Sequence, residues 1–284
     1  MAYTNIDDPS AHFQTAIYTG NGGSDRAIVN DGNSAMQPDW VWYKSRSNAS
    51  SHITYDSTRG DGPYLKPSDA GDEGTDANMF ESFDSDGFSL NGDTDGNGSG
   101  RTYVAWQWKA NGGTTASNTV GNINSVVQAN TDAGFAIVTY TGNGSANQTI
   151  GHGLGAVPKM ILFKNRSNAA YWYVYHVATG NDTMTYLNLT NAAQSLSSQF
   201  STPTTTTFNV SNENSTFSGY NTSGDAYVSY VFADVQGYSK FGKYVGNGNA
   251  NGPFIYTGFK PAFVMIKRIS GVRSWIMFDI KRNE

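Results

Sequence analysis

The sequence predicts an all-β protein built from tandem antiparallel β-sandwich domains of the jelly-roll or lectin-like kind. Three observations predict this class: a composition that favours strands and turns, a recurring set of short apolar runs, and no sustained 3.6-residue apolar periodicity. Charged residues form only 14% of the chain, whereas it holds 17 tyrosines, 15 phenylalanines and 32 glycines. Aromatic residues favour strands and glycine favours turns, so this composition disfavours helices.

A first landmark marks the start of three copies of one unit. The motif Tyr-Thr-Gly-Asn-Gly begins at Tyr18, recurs at Tyr140 and returns as Tyr-Val-Gly-Asn-Gly at Tyr244. Asparagine and glycine both tolerate positive φ, which makes the Asn-Gly pair a strong signal for a hairpin turn. Each copy is therefore expected to place a tight turn after its first strand.

A second landmark follows the first in every copy. It is a proline followed by a short apolar run that ends in lysine, and each lysine precedes an aromatic residue by the same interval. The prolines are Pro38, Pro158 and Pro261, the lysines Lys44, Lys164 and Lys267, and the aromatic residues Tyr55, Tyr175 and Phe278. Proline suits the first residue of a strand because it cannot donate to the ladder, and the apolar run predicts a buried strand.

The landmarks divide the chain into five segments. These are an N-terminal arm at 1–13, copy 1 at 14–110, a linker at 111–134 with one strand expected at Ile123–Val127, copy 2 at 135–238, and an incomplete copy 3 at 239–284. The closing run Thr102 to Trp108 matches Ala226 to Phe232 and has no counterpart in copy 3. Unpaired strand edges are costly, so we expect either a longer parent chain or a neighbouring subunit to complete copy 3.

Composition excludes several classes of function. Without cysteine there is no disulfide, no Cys-ligated zinc and no thiol nucleophile. A formal net charge of −5 disfavours a general nucleic-acid binder, and no apolar run is long enough to span a membrane. Residues 1–9 lack the basic and apolar regions of a signal peptide. These features favour a particle or fibre protein, assembled inside a cell and used outside it, over an ordinary cytosolic β-domain.

Catalysis finds little support in the sequence, and no enzymatic activity is predicted. The histidines form no metal-binding or triad motif, and we interpret them as surface or turn residues; they are His12, His52, His152 and His176. Paired carboxylates would indicate a glycoside hydrolase. The candidates Glu73 and Glu81 do not recur in copy 2, so a polysaccharide-degrading enzyme is only an alternative.

One acidic loop resembles the beginning of a calcium site. Asp93, Asp95 and Asn97 supply oxygen ligands at alternate positions, and Asp84 and Asp86 could reach them from the adjacent hairpin. The acidic residue expected at the twelfth position is absent, since Val104 stands there. Calcium therefore competes with a simpler interpretation, a solvated turn rich in Asp, Asn and Gly.

Tryptophan offers the clearest candidates for ligand contact, because its flat ring can stack on a sugar while nearby Asn and Asp bind hydroxyls. Trp172 and Trp275 occupy corresponding positions in copies 2 and 3 and are the candidate carbohydrate-binding residues. The pairs Trp40/Trp42 and Trp106/Trp108 lie on strands, and at least one member of each is expected in the core. The alternative is that most of the tryptophans fill the sandwich.

Four motifs together resemble a repeated domain of marine tailed-phage proteins. They are the Tyr-Thr-Gly-Asn-Gly turn, Pro-Asp-Trp-Val-Trp-Tyr-Lys-Ser-Arg-Ser from Pro38, Phe-Asp-Ser-Asp-Gly-Phe from Phe83, and Tyr-Val-Ala-Trp-Gln-Trp-Lys-Ala from Tyr103. The resemblance implies concanavalin A-like sandwiches and a place on the virion, in proteins described as structural, fibre-like or lectin-like. It transfers no catalytic residue.

The function expected from these observations is that of a tail-fibre, head-fibre or spike component that attaches to a host-surface glycan. Its expected partners are other virion proteins and further copies of itself, as a trimer if it is a fibre, with neither nucleic acid nor membrane insertion. The N-terminal arm at 1–13 is a candidate for virion attachment. Such a protein would be assembled in the host cytoplasm and act outside the cell. A capsid-decorating protein without a receptor role is the alternative.

Overall fold

The computed structural model describes residues 4–195, 201–211 and 219–282. Strands dominate this described part of the chain, and its helices are a 3₁₀ turn at Pro9–Ala11 and α1 at Thr94–Asn97. In copy 1 the strands are β1 (Phe13–Thr19), β2 (Arg26–Val29), β3 (Trp40–Ser45), β4 (Ile53–Asp56), β5 (Gly60–Leu65), β6 (Gly74–Thr75), β7 (Phe80–Asp84), β8 (Gly87–Leu90) and β9 (Thr102–Trp108).

The later strands follow in the same manner. They are β10 (Ala116–Asn118), β11 (Ser125–Asn130), β12 (Phe135–Thr141), β13 (Gln148–Gly151), β14 (Met160–Asn165), β15 (Tyr173–His176), β16 (Thr183–Tyr186), β17 (Gln194–Ser195), β18 (Thr207–Val210), β19 (Ala226–Phe232), β20 (Phe263–Ile266) and β21 (Ile276–Asp279). Within the described residues the named strands pair antiparallel, and an isolated bridge between Ile123 and Ile150 is parallel. The predicted all-β class is confirmed.

Two large sheets have matching strand orders. The first runs β1-β9-β3-β4-β5-β6, and the second contains β12-β19-β14-β15-β16-β17 in the corresponding order. In both sheets the closing strand lies between the first strand and the strand that follows the proline landmark. Val41 pairs with Gln107 in the first sheet, and Ile161 pairs with Val231 at the equivalent place in the second. The shared sequence landmarks thus correspond to a shared pairing pattern.

Alternation along the strands explains how each large sheet is covered. On β3 the side chains of Val41 and Tyr43 point to one face, where the small sheet β2-β8-β7 packs over them. Ile161 and Phe163 point to the corresponding face of the second sheet, which is covered by the pair β13-β18. Successive side chains of a strand face opposite ways, so the remaining residues form a second layer of core.

That second layer is a central core shared by the copies. The large sheets turn their other faces toward each other, so Trp40 and Trp42 share a cluster with Leu162 and Tyr230. Trp106 and Trp108 lie in the same cluster and are also buried. All four of these strand tryptophans are therefore core residues, because residues two apart on a strand point to the same face.

Copy 3 contributes a single hairpin, β20–β21, to this central core. The side chains of Phe263, Met265, Trp275 and Met277 are partly buried against it. The inner face of the third copy is therefore covered by copies 1 and 2, and the hairpin is not an isolated fragment.

The segments outside the copies are also folded onto the sheets. Residues 111–134, expected as a linker, contain β10 and β11, which extend the second large sheet beyond β12. The expected strand at Ile123–Val127 corresponds to β11, which begins two residues later, at Ser125. In the arm, Asp8 caps the 3₁₀ turn and accepts a hydrogen bond from the Ser34 hydroxyl at 2.6 Å. The domain boundaries themselves stay predictions.

The first landmark is held by a buried asparagine from the closing half of the same copy. In copy 1 the Asn97 side chain accepts from the amide of Asn21 and donates to the carbonyl of Gly23 at 2.7 Å. In copy 2 Asn221 makes the equivalent bonds to Asn143 and Ser145. The recurrence of the Gly-Asn-Gly motif therefore reflects a side-chain lock on the turn.

Candidate assembly interface and surface cleft

Copies 1 and 2 meet through hydrogen bonds that begin on the second landmark of copy 2. The indole nitrogen of Trp172 donates to the carbonyl of Lys66 at 2.9 Å. Lys164 Nζ donates to the carbonyl of Ala70 at 3.3 Å, and the amide of Ala170 donates to the same oxygen at 2.8 Å. In these three hydrogen bonds copy 2 is the donor and copy 1 the acceptor, whereas the amide of Glu73 in copy 1 donates in the opposite direction, to the carbonyl of Arg166 at 3.0 Å.

The same contact joins copies 2 and 3. The indole nitrogen of Trp275 donates to the carbonyl of Tyr186 at 2.7 Å. Lys267 Nζ and the amide of Arg273 both donate to the carbonyl of Thr190, at 3.1 and 2.8 Å. Trp275 and Lys267 are the counterparts of Trp172 and Lys164, so the second contact repeats the first with every copy advanced by one.

A third contact joins copy 1 to copy 3 in the same direction. The indole nitrogen of Trp106 donates to Asp279 at 3.0 Å, just as the hydroxyl of Tyr230 donates to Asp56 at 2.7 Å. Trp106 and Tyr230 are equivalent residues of β9 and β19. Copy 2 therefore donates to copy 1, copy 3 to copy 2 and copy 1 to copy 3, which is the closed head-to-tail arrangement of a ring.

Buried charges stabilise the contact between copies 1 and 2. Asp56 forms an ion pair with Arg59, and both side chains are fully buried. Arg59 also binds Glu73 at 2.8 Å, and Glu73 binds Arg166 of copy 2 at 2.7 Å. In copy 3, Arg282 pairs with Asp279 at the same spacing as Arg59 and Asp56. The interface therefore carries a connected ionic network rather than isolated surface pairs.

Burial changes the pKa of two residues in this interface. It lowers the pKa of Lys164 to about 8, against the attraction of Asp69 and Asp72. Burial alone would raise the pKa of Glu73, but the hydrogen bond from Arg166 and the charge of Arg59 lower it below the usual range. Glu73 is thus a fixed ionic partner and is poorly suited to act as a general acid.

The predicted carbohydrate-binding tryptophans lie in these contacts. Trp172 is fully buried, with its ring stacked at 6.2 Å from that of Tyr230, so its ring is not presented to solvent. Trp275 is half-buried against the central core. Both tryptophans lie at a contact between copies because each indole supplies apolar area and a hydrogen-bond donor to the neighbouring copy.

The predicted calcium residues serve mainly as local hydrogen-bonding partners. Asp84 accepts from the hydroxyls of Ser82 and Ser89, and Asp86 accepts from the amide of Met36. Asp93 caps α1 by accepting from the amide of Asp95 at 2.7 Å, while Asn97 is the buried turn lock. Within the described residues, no three acidic, histidine or cysteine side chains come together as a metal site.

The remaining candidates for catalysis also make contacts that support the fold. Glu81 accepts a hydrogen bond from Asn91, and Glu73 belongs to the ionic network. His152 lies in the expected turn, but its side chain is fully buried. Its Nδ1 accepts from the amide of Leu154 at 3.2 Å, and burial lowers its pKa. An imidazole held as an acceptor in an apolar core supports the backbone turn around it.

A surface cleft opens beside the contact between copies 1 and 2. It has a volume of about 540 Å³ and is lined by Ala70, Asn165, Asn168, Ala169, Ala170, Tyr171, Tyr173, Gly219, Thr222 and Asp225. Tyr171 is 44% exposed and packs edge-on against Tyr186 at 5.3 Å. Asp225 accepts from the side chains of Asn165 and Asn168 at 2.7 and 2.9 Å. An exposed aromatic ring thus lies beside oriented amides and a carboxylate.

Tyr171 was not predicted as a ligand-contacting residue, whereas its larger neighbour Trp172 was. Trp172 and Tyr171 are adjacent, and adjacent residues in extended chain point in opposite directions. When Trp172 enters the core, Tyr171 is therefore the one left facing solvent. The sequence shows that one of these two aromatic residues faces solvent, but only the structure shows that it is Tyr171.

The fold and its contacts define the class as an all-β protein of several antiparallel sheets joined by a recurring head-to-tail contact. The chain belongs to the family described as "Domain of unknown function (DUF7483)", which matches residues 8–284. No curated protein and no solved structure matches it. Among the residues placed by the structure, no helix has the length and apolarity needed to cross a membrane.

Proposed function

We propose that this protein is a phage virion structural protein, a component of a tail fibre, head fibre or spike. Its β-sheet copies form the support, and the cleft around Tyr171 binds a glycan of the host surface. Other virion proteins and further copies of the chain are its partners, and no catalytic step is assigned to it.

The recurring contact between copies is the observation that carries the structural part of the proposal. The same indole and lysine donors meet the same backbone carbonyls at two successive contacts. A head-to-tail contact that repeats is the means by which rings and filaments are assembled. Its buried ion pairs and large aromatic core favour a rigid support, as an extracellular attachment protein requires.

The cleft supports the glycan-binding part. Tyr171 offers a flat apolar surface, and Asn168 and Asp225 lie beside it with hydrogen-bonding atoms already oriented by each other. Sugars combine an apolar ring face with hydroxyl groups, and an aromatic residue beside fixed polar groups matches both.

The structural part is tested by immunogold labelling of intact virions with an antibody against the purified chain. Labelling of the tail or of a fibre is expected, whereas labelling confined to the head surface would favour the capsid-decorating alternative. Absence of label from the virion would overturn the proposal. Analytical ultracentrifugation of the purified chain tests the accompanying expectation of a homo-oligomer.

The glycan part is tested separately on an array of bacterial surface polysaccharides. Tyr171→Ala is expected to weaken binding by about tenfold or more, because it removes the stacking surface, whereas Tyr171→Phe retains it. Tyr244→Ala is the matched control, since Tyr244 is similarly exposed at 48% and lies in copy 3. Equal binding by all three variants, or no binding by the wild-type chain, would remove the cleft from the proposal and leave the structural part standing.

A further inference from the structure

The outer face of copy 3 is uncovered where the same face of the other copies is buried. Val41 and Tyr43 are fully buried beneath the small sheet of copy 1, and Ile161 and Phe163 are at most 1% exposed in copy 2. On the next strand of the same face, Ile53 and Tyr55 of copy 1 and Tyr173 and Tyr175 of copy 2 are at most 5% exposed. Their equivalents in copy 3, Ile276 and Phe278, are 50% and 45% exposed. The outer face of copy 3 therefore carries apolar residues at positions that are buried in copies 1 and 2.

The edge of β20 is open in the same way. Its counterpart β3 pairs with β4 on one side and β9 on the other, and β14 likewise pairs with β15 and β19. Within the described residues β20 pairs with β21 alone. The open side is the one that a closing strand occupies in copies 1 and 2.

The first landmark of copy 3 also lacks its usual neighbour. A methyl group on Gly20 would lie 2.4 Å from the carbonyl of Gly98, and one on Gly142 would lie 2.3 Å from that of Thr222. These close approaches place the turn against the loop that carries the asparagine lock. A methyl group on Gly246 would meet nothing within 4 Å. The motif in copy 3 is therefore present without the loop that it fits.

The other side of the same gap lies on copy 1. Lys164 and Lys267 each donate to a carbonyl of the preceding copy, whereas the carbonyls that Lys44 meets among the described residues belong to its own copy, those of Ser45 and Asn48. His52 stands where Trp172 and Trp275 stand and accepts a hydrogen bond from Trp42. Among the described residues, this donor side of copy 1 meets the hairpin of copy 3, through the bond from Trp106 to Asp279.

We propose that copy 3 binds a partner polypeptide segment that has the closing-half pattern of copies 1 and 2. The segment carries an asparagine loop followed by a strand that adds antiparallel to β20. The two complete copies define its chemistry: alternate large apolar residues face the central core, as Val104, Trp106 and Trp108 do, and an asparagine six residues before the strand tyrosine locks the turn. The gap beside β20 is the position that β9 fills beside β3 and β19 fills beside β14, so these two strands specify the segment that would fit it.

The test uses the absence of cysteine from the chain, because each engineered thiol is then unique. A synthetic peptide with the sequence of residues 94–109 serves as the probe for the partner segment. In copy 1 Val41 pairs with Gln107 and Tyr43 with Ala105, so the equivalent register in copy 3 places Val264 opposite Gln107 and Ile266 opposite Ala105. Val264→Cys and Ile266→Cys proteins are each mixed with Gln107→Cys and Ala105→Cys peptides.

With oxidised glutathione added as the oxidant, disulfide formation is expected in the two matched combinations, on the order of tenfold faster than in the two crossed ones. The reason is that directly opposite residues bring their Cβ atoms to bonding distance, whereas diagonal ones do not. A peptide of scrambled sequence is the control for general stickiness. Equal rates in all four combinations, no reaction above the scrambled control, or a disulfide-linked dimer of the protein without peptide would each overturn the proposal. The last result would assign the face to a second copy of the chain.

Discussion

At the scale of single residues, the repeated motifs are explained by what each residue touches. Asn97 and Asn221 are fully buried and use both the oxygen and the nitrogen of the amide to lock a turn. Gly20 and Gly142 are required for a different reason, because a backbone carbonyl passes within 2.4 Å of where a Cβ would lie. Polar residues that looked like surface loops thus have the packing demands of a core.

Gly20→Ala and Gly246→Ala form a matched pair of substitutions. Gly20→Ala is expected to lower the free energy of unfolding by about 1 to 3 kcal/mol, because the new methyl group must displace backbone atoms. Gly246→Ala should change it by less than about 0.5 kcal/mol, since its surroundings are open and its φ is not positive. Urea unfolding followed by tryptophan fluorescence measures both. Equal effects would show that the landmark glycine acts through chain flexibility alone.

At the scale of elements, position in the assembly decides how a repeated strand behaves. The β3, β14 and β20 strands share one pattern, yet the first two are buried on both faces and the third is only partly buried along its length. Both faces of β3 and β14 are covered by other sheets, which a single strand's sequence cannot specify. Two of the lysines near the ends of these strands, Lys164 and Lys267, likewise find an acceptor on the neighbouring copy.

The ion pairs at the ends of β4 and β21 give a second matched comparison. Arg59→Met is expected to lower the free energy of unfolding by about 3 to 5 kcal/mol, because it leaves Asp56 and Glu73 without their buried cation. Arg282→Met should cost less, about 1 to 3 kcal/mol, since the Arg282 side chain remains 24% exposed and water can solvate Asp279 afterwards. Chemical unfolding of the two variants compares them. A larger cost for Arg282→Met would contradict the view that burial sets the strength of the network.

At the scale of the whole molecule, the copies cohere through a central core rather than through a chain linker. Tryptophans of copy 1, aliphatic residues of copy 2 and the hairpin of copy 3 all meet there. The copies are therefore expected to unfold in one cooperative transition and not as independent domains, because separating any pair would expose large aromatic surfaces to water.

Burial of the histidines makes the free energy of unfolding depend on pH. Burial lowers the pKa of all four histidines, and that of His52 to about 4. Between about pH 6.5 and 4 the unfolded chain binds protons that the folded chain excludes, so stability falls as the pH falls through this range. The shift of His52 alone corresponds to at most about 3 kcal/mol.

His52→Asn isolates that contribution, because the amide oxygen can still accept from the indole of Trp42. The free energy of unfolding is measured in urea at several pH values from 7 to 4.5. The variant is expected to lose less stability on acidification than the wild-type chain. Identical pH profiles would assign the acid sensitivity to other groups.

Much of the fold could be predicted from particular residues. The proline-to-lysine runs became β3, β14 and β20, and the closing run from Thr102 became β9. The site was predicted less well: Trp172 was identified as a ligand-facing ring, yet it lies in the interface and its neighbour Tyr171 faces the cleft. Side-chain alternation fixes that these two residues point in opposite directions, but not which of them points inward.

The sequence by itself determined the all-β class, the order of the strands and the turns, because these depend on local periodicity and backbone preferences that are written residue by residue. Only the tertiary structure decided which faces of the sheets meet, that Asp56 and Asp279 receive donors from other copies, and that one face of copy 3 stays open. These features depend on contacts between residues far apart in the chain. Their energies come from burial and charge pairing, which no local pattern encodes.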